Sequence, residues 1–128
     1  MDYLLDTVAI IRYFSGRGHI GRKAKTIIAK AEEGSHVLLL SVVSLFEIMY
    51  LAEKNRIKIS LPNTLSAIHH KPCYQIVELT TDIIVEASRI KFYELHDRLV
   101  LATAKHFNLS ILSSDLRFDE LEGFKRIW

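Results

Sequence analysis

Four acidic residues stand where carboxylates are costly. Asp6 ends the apolar run Tyr3-Leu4-Leu5, Glu47 lies inside SVVSLFEIMYL, Asp97 precedes LVLATA, and Asp115 follows ILSS. An ionised carboxylate in apolar surroundings needs a cation or a set of hydrogen bonds, or it takes up a proton. Brought together, four such groups can hold a hard divalent cation through oxygen alone, a donor set that suits Mg²⁺ or Mn²⁺ rather than zinc. One or two such ions could activate water and neutralise charge on a phosphodiester under in-line attack, giving a 5′-phosphate and a 3′-hydroxyl. Thr7 and Ser114, beside two of these acids, could orient a water or phosphate by hydroxyl contact, and plain turn or cap chemistry accounts for them equally well.

Each acid has a routine explanation when taken singly. Ser44-x-x-Glu47 matches a capping box. Ser41 is an equally good helix cap, however, and it would leave Glu47 in the second turn among Leu45, Phe46, Ile48, Met49 and Leu51 with no structural task. Asp97 suits a helix start through the macrodipole. Four acids at one place do not share such an explanation, because clustered anions repel unless a cation intervenes.

The elements that must position them alternate. Apolar runs predict strands at Tyr3–Leu5, Val37–Leu40, Tyr74–Leu79 and Leu109–Leu112, with Phe124–Trp128 as a last edge strand. Val37–Leu40 is continuous, as a strand buried on both faces requires. Helices are expected at Thr7–Phe14, with Val8, Ile11 and Phe14 inward, and at Arg22–Glu33, where Ala24, Ile27, Ile28 and Ala31 follow the helical repeat. Others are expected at Val42–Asn55, Asn63–His70, from Thr80-Thr81-Asp82 to Phe92 with Ile83, Ile84, Ala87 and Ile90 inward, at Asp97–Phe107, and briefly at Leu116–Leu121. Such alternation predicts an α/β sandwich with a mainly parallel sheet, whose ligands bind beyond the carboxyl ends of the strands where strand order switches. Asp6 and Asp115 directly follow strands, and Glu47 and Asp97 lie on helices at the same edge.

Composition narrows the classes. The chain has 128 residues, a length for one domain over 1–128, with 49% hydrophobic and 25% charged residues, which suits a globular fold rather than disorder. A lone cysteine, Cys73, rules out an intrachain disulfide and fits a reducing cytoplasm. No signal peptide is expected, because Asp2 and Asp6 interrupt the first apolar run, and no stretch approaches a membrane span. Seventeen basic against fifteen acidic residues give a net charge of +2, too weak by itself to name a nucleic-acid partner. Yet no acid occurs between Asp6 and Glu32, while Arg12, Arg17, Arg22, Lys23, Lys25 and Lys30 do. That interval is either a solvated helix face or a phosphate-contacting surface, with Arg12, Arg22, Lys23 and Lys25 as candidate contacts.

Two tempting motifs carry nothing. Gly16-Arg17-Gly18-His19-Ile20-Gly21 has the letters of a dinucleotide fingerprint but follows a helix, whereas the fingerprint needs a strand-to-helix turn. His69-His70 and Cys73 are separated by Pro72, which breaks the helical spacing a zinc site would use.

The four acidic segments LLDT, LSVVSLFEIMYL, HDRLVLATA and ILSSD, in order and over essentially the whole chain, resemble the PIN-domain ribonucleases and, within them, the VapC-type toxins of toxin–antitoxin pairs. The resemblance implies a PIN-like, Rossmann-like three-layer sandwich and Mg²⁺- or Mn²⁺-dependent cleavage of RNA. It also implies Asp6, Glu47, Asp97 and Asp115 as metal ligands, a homodimer, and an antitoxin whose tail covers the acidic site. The competing readings are a PIN nuclease of RNA processing and a non-catalytic RNA- or protein-binding module on the same fold. A receiver-type signalling domain is disfavoured, because no Lys follows the fourth strand and Asp82 lies beyond the third.

Overall fold

The computed structural model describes residues 1–128. Its centre is five parallel strands: β1 (Asp2–Leu5), β2 (Val37–Ser41), β3 (Tyr74–Val77), β4 (Ser110–Leu112) and β5 (Arg126–Ile127). They lie in the order β3-β2-β1-β4-β5, so the order reverses between β1 and β4. A receiver-type domain would be ordered 2-1-3-4-5, and that rival falls on topology alone.

Alternate strand residues feed two cores, which makes the molecule three-layered. Tyr3, Leu5, Leu38, Leu40 and Leu112 face one core with α1 (Thr7–Ser15), α2 (Arg22–Glu32), α3 (Val42–Glu53) and α4 (Leu61–His70). Leu4, Leu39 and Ile111 face the other, with α5 (Thr81–Ser88), α6 (Leu95–His106) and Phe118 of a short 3₁₀ turn, Leu116–Glu120. Leu101 and Ile10 are fully buried, and cutting either back to Ala removes packing worth about 2–5 kcal/mol. No helix is long and apolar enough to cross a membrane.

Several boundaries differ from those the sequence predicts. Helix α5 ends at Ser88 instead of Phe92, and β3 stops at Val77 instead of Leu79. Val8 and Ile84, expected inward, are exposed, because Ala9 and Ile10 in α1 and Ile83 and Ala87 in α5 take the inner positions of these short helices. Helix α4 begins two residues early, since Ser60 accepts a bond from the Asn63 amide and Pro62 fits a first turn where no donor is needed.

Candidate active site

The chain leaves β1 at Leu5 and turns directly into α1, and Asp6 is the residue of the turn. Its backbone is extended, and its Oδ1 accepts the Ala9 amide at 2.8 Å, capping the helix. The Asp6 amide itself donates to the Leu112 carbonyl at 3.2 Å, tying it to the end of β4 across the reversal in strand order. Asp6 is buried, 7% exposed, and burial raises its pKa; hydrogen bonds from Ser113 and Ala9 oppose the rise, and the Asp115 charge adds to it.

Helix α3 begins after Ser41, whose hydroxyl accepts the Val43 amide. Glu47 therefore falls in the second turn and caps nothing, so the capping-box alternative is overturned. Instead Thr7 Oγ1 lies 2.8 Å from both Glu47 Oε1, to which it is placed to donate, and Ser44 Oγ. On the other side His96 Nδ1 approaches Glu47 Oε2 at 3.5 Å.

Asp97 sits in the first turn of α6, which opens at Leu95 rather than at Asp97. Its pKa is pushed up to about 7, first by burial and then by the charges of Glu47, Asp115, Asp6 and Glu94. The four carboxylates predicted from sequence are thus brought within electrostatic reach at one edge, from the ends of β1 and β4 and the early turns of α3 and α6. Asp119, a nearby acid, stands apart: it is bound by Arg126 at 2.9 Å and held below the usual carboxylate range by that bond.

Asp115 caps the 3₁₀ turn, and Arg117, two residues on, folds back onto it. Arg117 Nη2 lies 2.6 Å from Asp115 Oδ2 and 3.8 Å from Asp97 Oδ2. As the side chains stand, no three acidic, histidine or cysteine groups close into a coordination sphere. The donor set still fits a hard cation, being oxygen-only and partly buried, with burial and neighbouring carboxylates raising the Asp97 pKa.

Beside the acids runs an open cleft of about 660 Å³, lined by Arg22, Lys23, Ser114, Lys125, Arg126 and Trp128 among others. Its walls are α2 and β5, and they meet closely: a Cβ on Gly21 would lie 2.2 Å from the Trp128 carbonyl carbon. Of the basic residues expected to meet phosphate, Arg22 and Lys23 line this cleft and Lys25 does not. Arg12 is spent partly on the His19 carbonyl at 3.1 Å, and its charge reaches Asp6. Arg117 and Lys125 were not indicated by sequence. The signal for Arg117 is its place two residues after a capping acid; Lys125 has none, because β5 is too short to show a pattern.

Against known families, the model described as "PIN domain" matches residues 3–123. No curated protein matches. Among solved structures, VapBC2 from Rickettsia felis bound to a promoter DNA fragment aligns with TM-score 0.75 at 12% identity, covering 99% of this chain and 98% of that one. DNA-bound VapBC from Salmonella typhimurium gives 0.73 at 15% identity, covering 99% and 97%. VapC20 from Mycobacterium tuberculosis, a sarcin-ricin loop cleaving toxin, gives 0.66 at 16% identity, covering 92% and 93%. At these identities the likeness is one of fold.

Proposed function

The chain belongs to the PIN domain family, and on that premise we propose that it is a metal-dependent endoribonuclease, the toxin of a toxin–antitoxin pair. The observation that carries the reading is the convergence of Asp6, Glu47, Asp97 and Asp115 at the reversal of strand order, with Asp97 raised to about 7 by burial and the other three. Asp97 has no cation closer than Arg117 at 3.8 Å, and its largest neighbouring charges are the other carboxylates.

Asp6, Glu47, Asp97 and Asp115 would hold Mg²⁺ or Mn²⁺, whose chemistry there is to activate water and offset charge on the phosphodiester. The chain's own part is placement. Asp6 is locked by its helix cap, so one ligand is fixed to the sheet. Thr7 holds Glu47 by Oε1, and His96 lies 3.5 Å from Oε2. Asp97 must release its proton before it can serve, which makes the site more receptive above about pH 7 than below. Arg22, Lys23 and Lys125 would carry the RNA backbone along the cleft past Ser114 to Asp115, adding affinity rather than chemistry. Water attack at phosphorus with departure of the 3′-oxygen leaves a 5′-phosphate and a 3′-hydroxyl.

The toxin half of the proposal is supported by the structural neighbours, which include toxin–antitoxin complexes. An apolar pocket lined by Phe46, Tyr50, Leu51 and His96 beside Glu47, with Phe46 and Tyr50 half-exposed, suits an antitoxin tail reaching the acids. A homodimer and a cytoplasmic setting complete the reading. The test is incubation of purified, partner-free protein with a mixed pool of structured and single-stranded RNAs in Mg²⁺, Mn²⁺ or chelator, with analysis of the new ends. Cutting with metal alone, leaving 5′-phosphates, is expected. Cutting in chelator, or 2′,3′-cyclic ends, would contradict the mechanism.

A further inference from the structure

Arg117 is an exposed, flexible side chain held unusually well. The backbone and side chain both bind the residue that starts its turn: the Arg117 amide donates to Asp115 Oδ1 at 3.0 Å, and Nε and Nη2 meet Oδ1 and Oδ2 at 2.9 and 2.6 Å. The guanidinium also lies over two rings, with its central carbon 5.1 Å from the Phe92 centroid and 5.2 Å from that of Tyr93. Those rings are themselves stacked at 5.2 Å and 20°, although Tyr93 is 77% exposed and contributes little to the core. A fork-on-fork carboxylate contact and an aromatic shelf together offset the rotamer entropy that usually cancels a surface ion pair.

The position of this cation matters more than its strength. Nη2 bonds Asp115 and stands 3.8 Å from Asp97, so it lies between two carboxylates that come from different elements. Resting on the proposed metal-binding role of those acids, we propose that Arg117 is an internal counter-ion, occupying the ground between Asp97 and Asp115 that a divalent cation needs and yielding it when the cation binds. The guanidinium and the ion compete for the same oxygens, so Arg117 sets the threshold of metal concentration at which the site loads. Released from Asp115, Arg117 remains tethered to the Phe92–Tyr93 shelf.

The competition has a direction that a purely structural salt bridge does not. Removing a structural partner of a ligand would loosen the ligand and weaken metal binding; removing a competitor strengthens it. The experiment is calorimetric titration of the full chain with Mn²⁺ alone, RNA absent, for wild type, Arg117→Gln, Arg117→Lys and Arg56→Gln, the last an exposed arginine beyond the far end of α3. Arg117→Gln should bind Mn²⁺ about fivefold more tightly, the scale of a good exposed ion pair. Arg117→Lys, which keeps the charge but not the fork or the flat face, should fall between it and wild type. Arg56→Gln should match wild type. Equal or weaker binding by Arg117→Gln, in a protein whose circular dichroism matches wild type, would overturn the counter-ion role, and should Arg117→Gln not fold, Arg117→Lys alone decides by the same criterion. Wild type that binds no Mn²⁺ would instead remove the metal site on which the proposal rests.

Discussion

Two polar clusters at opposite edges of the same sheet, one built on the single carboxylate Glu32 and one on four, are treated in opposite ways. Near the start of β3, Glu32 accepts the Tyr74 hydroxyl at 2.5 Å and pairs with Lys71 at 3.0 Å. Burial pushes the Glu32 pKa up, but bonds from Tyr74, Lys71 and Tyr13 outweigh it and hold the group below its usual range. At the other edge Asp97 is raised to about 7, because burial there is joined by three more carboxylates of the candidate site and by Glu94. The first cluster is complete within the chain and stabilises the fold. The second is costly to the fold, and Arg117 covers only part of the deficit. The contrast marks the second edge as the candidate site: Glu32 is satisfied within the chain, whereas burial and neighbouring carboxylates leave Asp97 raised.

The largest expected effect follows from emptying the second cluster. Asp97→Asn or Asp6→Asn should lower single-turnover RNA cleavage by at least about 10²–10³-fold, the loss typical of one preorganised electrostatic group. In metal-free buffer at pH 8, by contrast, where Asp97 is ionised, Asp97→Asn should melt at a higher temperature than wild type, since one of several repelling anions is gone. Wild-type cleavage rates, or a lower metal-free Tm, would erase the distinction between the clusters. Glu32→Gln should do the reverse, leaving cleavage unchanged and destabilising by about 1–2 kcal/mol in urea, as a charge-assisted hydrogen bond is weakened.

Acidity should separate them next. A carboxylate whose folded pKa is raised binds its proton more tightly in the folded state, so its stabilising effect is full below the ordinary value of 3.8 and is lost as pH rises through about 7. Metal-free wild type should therefore lose stability between pH 4 and roughly 7.5 by this group, and Asp97→Asn should flatten that slope. Glu32 works oppositely, its contribution being present above the usual carboxylate range and lost on acidification. A slope unchanged in Asp97→Asn would mean that some other group titrates there.

The smallest effect concerns binding. With chelator present, Lys23→Gln with Lys125→Gln should weaken single-stranded RNA binding and reduce the slope of log affinity against log salt by about 1.4, because each phosphate left without its lysine takes ~0.7 from the slope. Lys71→Gln, a cation committed to the Glu32 cluster, should leave the slope alone. Equal slopes in all three proteins would send the RNA elsewhere.

The acidic edge was readable because each acid lies within or beside an apolar run. Leu38, Leu39 and Leu40 make a continuous run short enough for a doubly covered strand, and Ser41 ends it where a helix starts. What escaped depends on distance or on turns too short for a period. The Glu32–Tyr74 bond joins residues 42 apart, and nothing local in either segment announces it. Arg117 meets Asp115 across the first residues of a 3₁₀ turn too short to show a period. Val8 and Ile84 were misplaced because a helix of eight or nine residues offers two apolar stripes and the sheet accepts one.

The most direct test of the four-acid site joins binding to cutting in a single preparation. Wild type and Asp97→Asn are titrated with Mn²⁺ by calorimetry at pH 8, and the same samples are then given RNA. The account predicts saturable binding and metal-dependent cleavage by wild type, with both lost or sharply weakened in Asp97→Asn while its circular dichroism is unchanged. Cleavage by a folded Asp97→Asn at the wild-type rate, or cleavage by wild type with no metal bound, would contradict it.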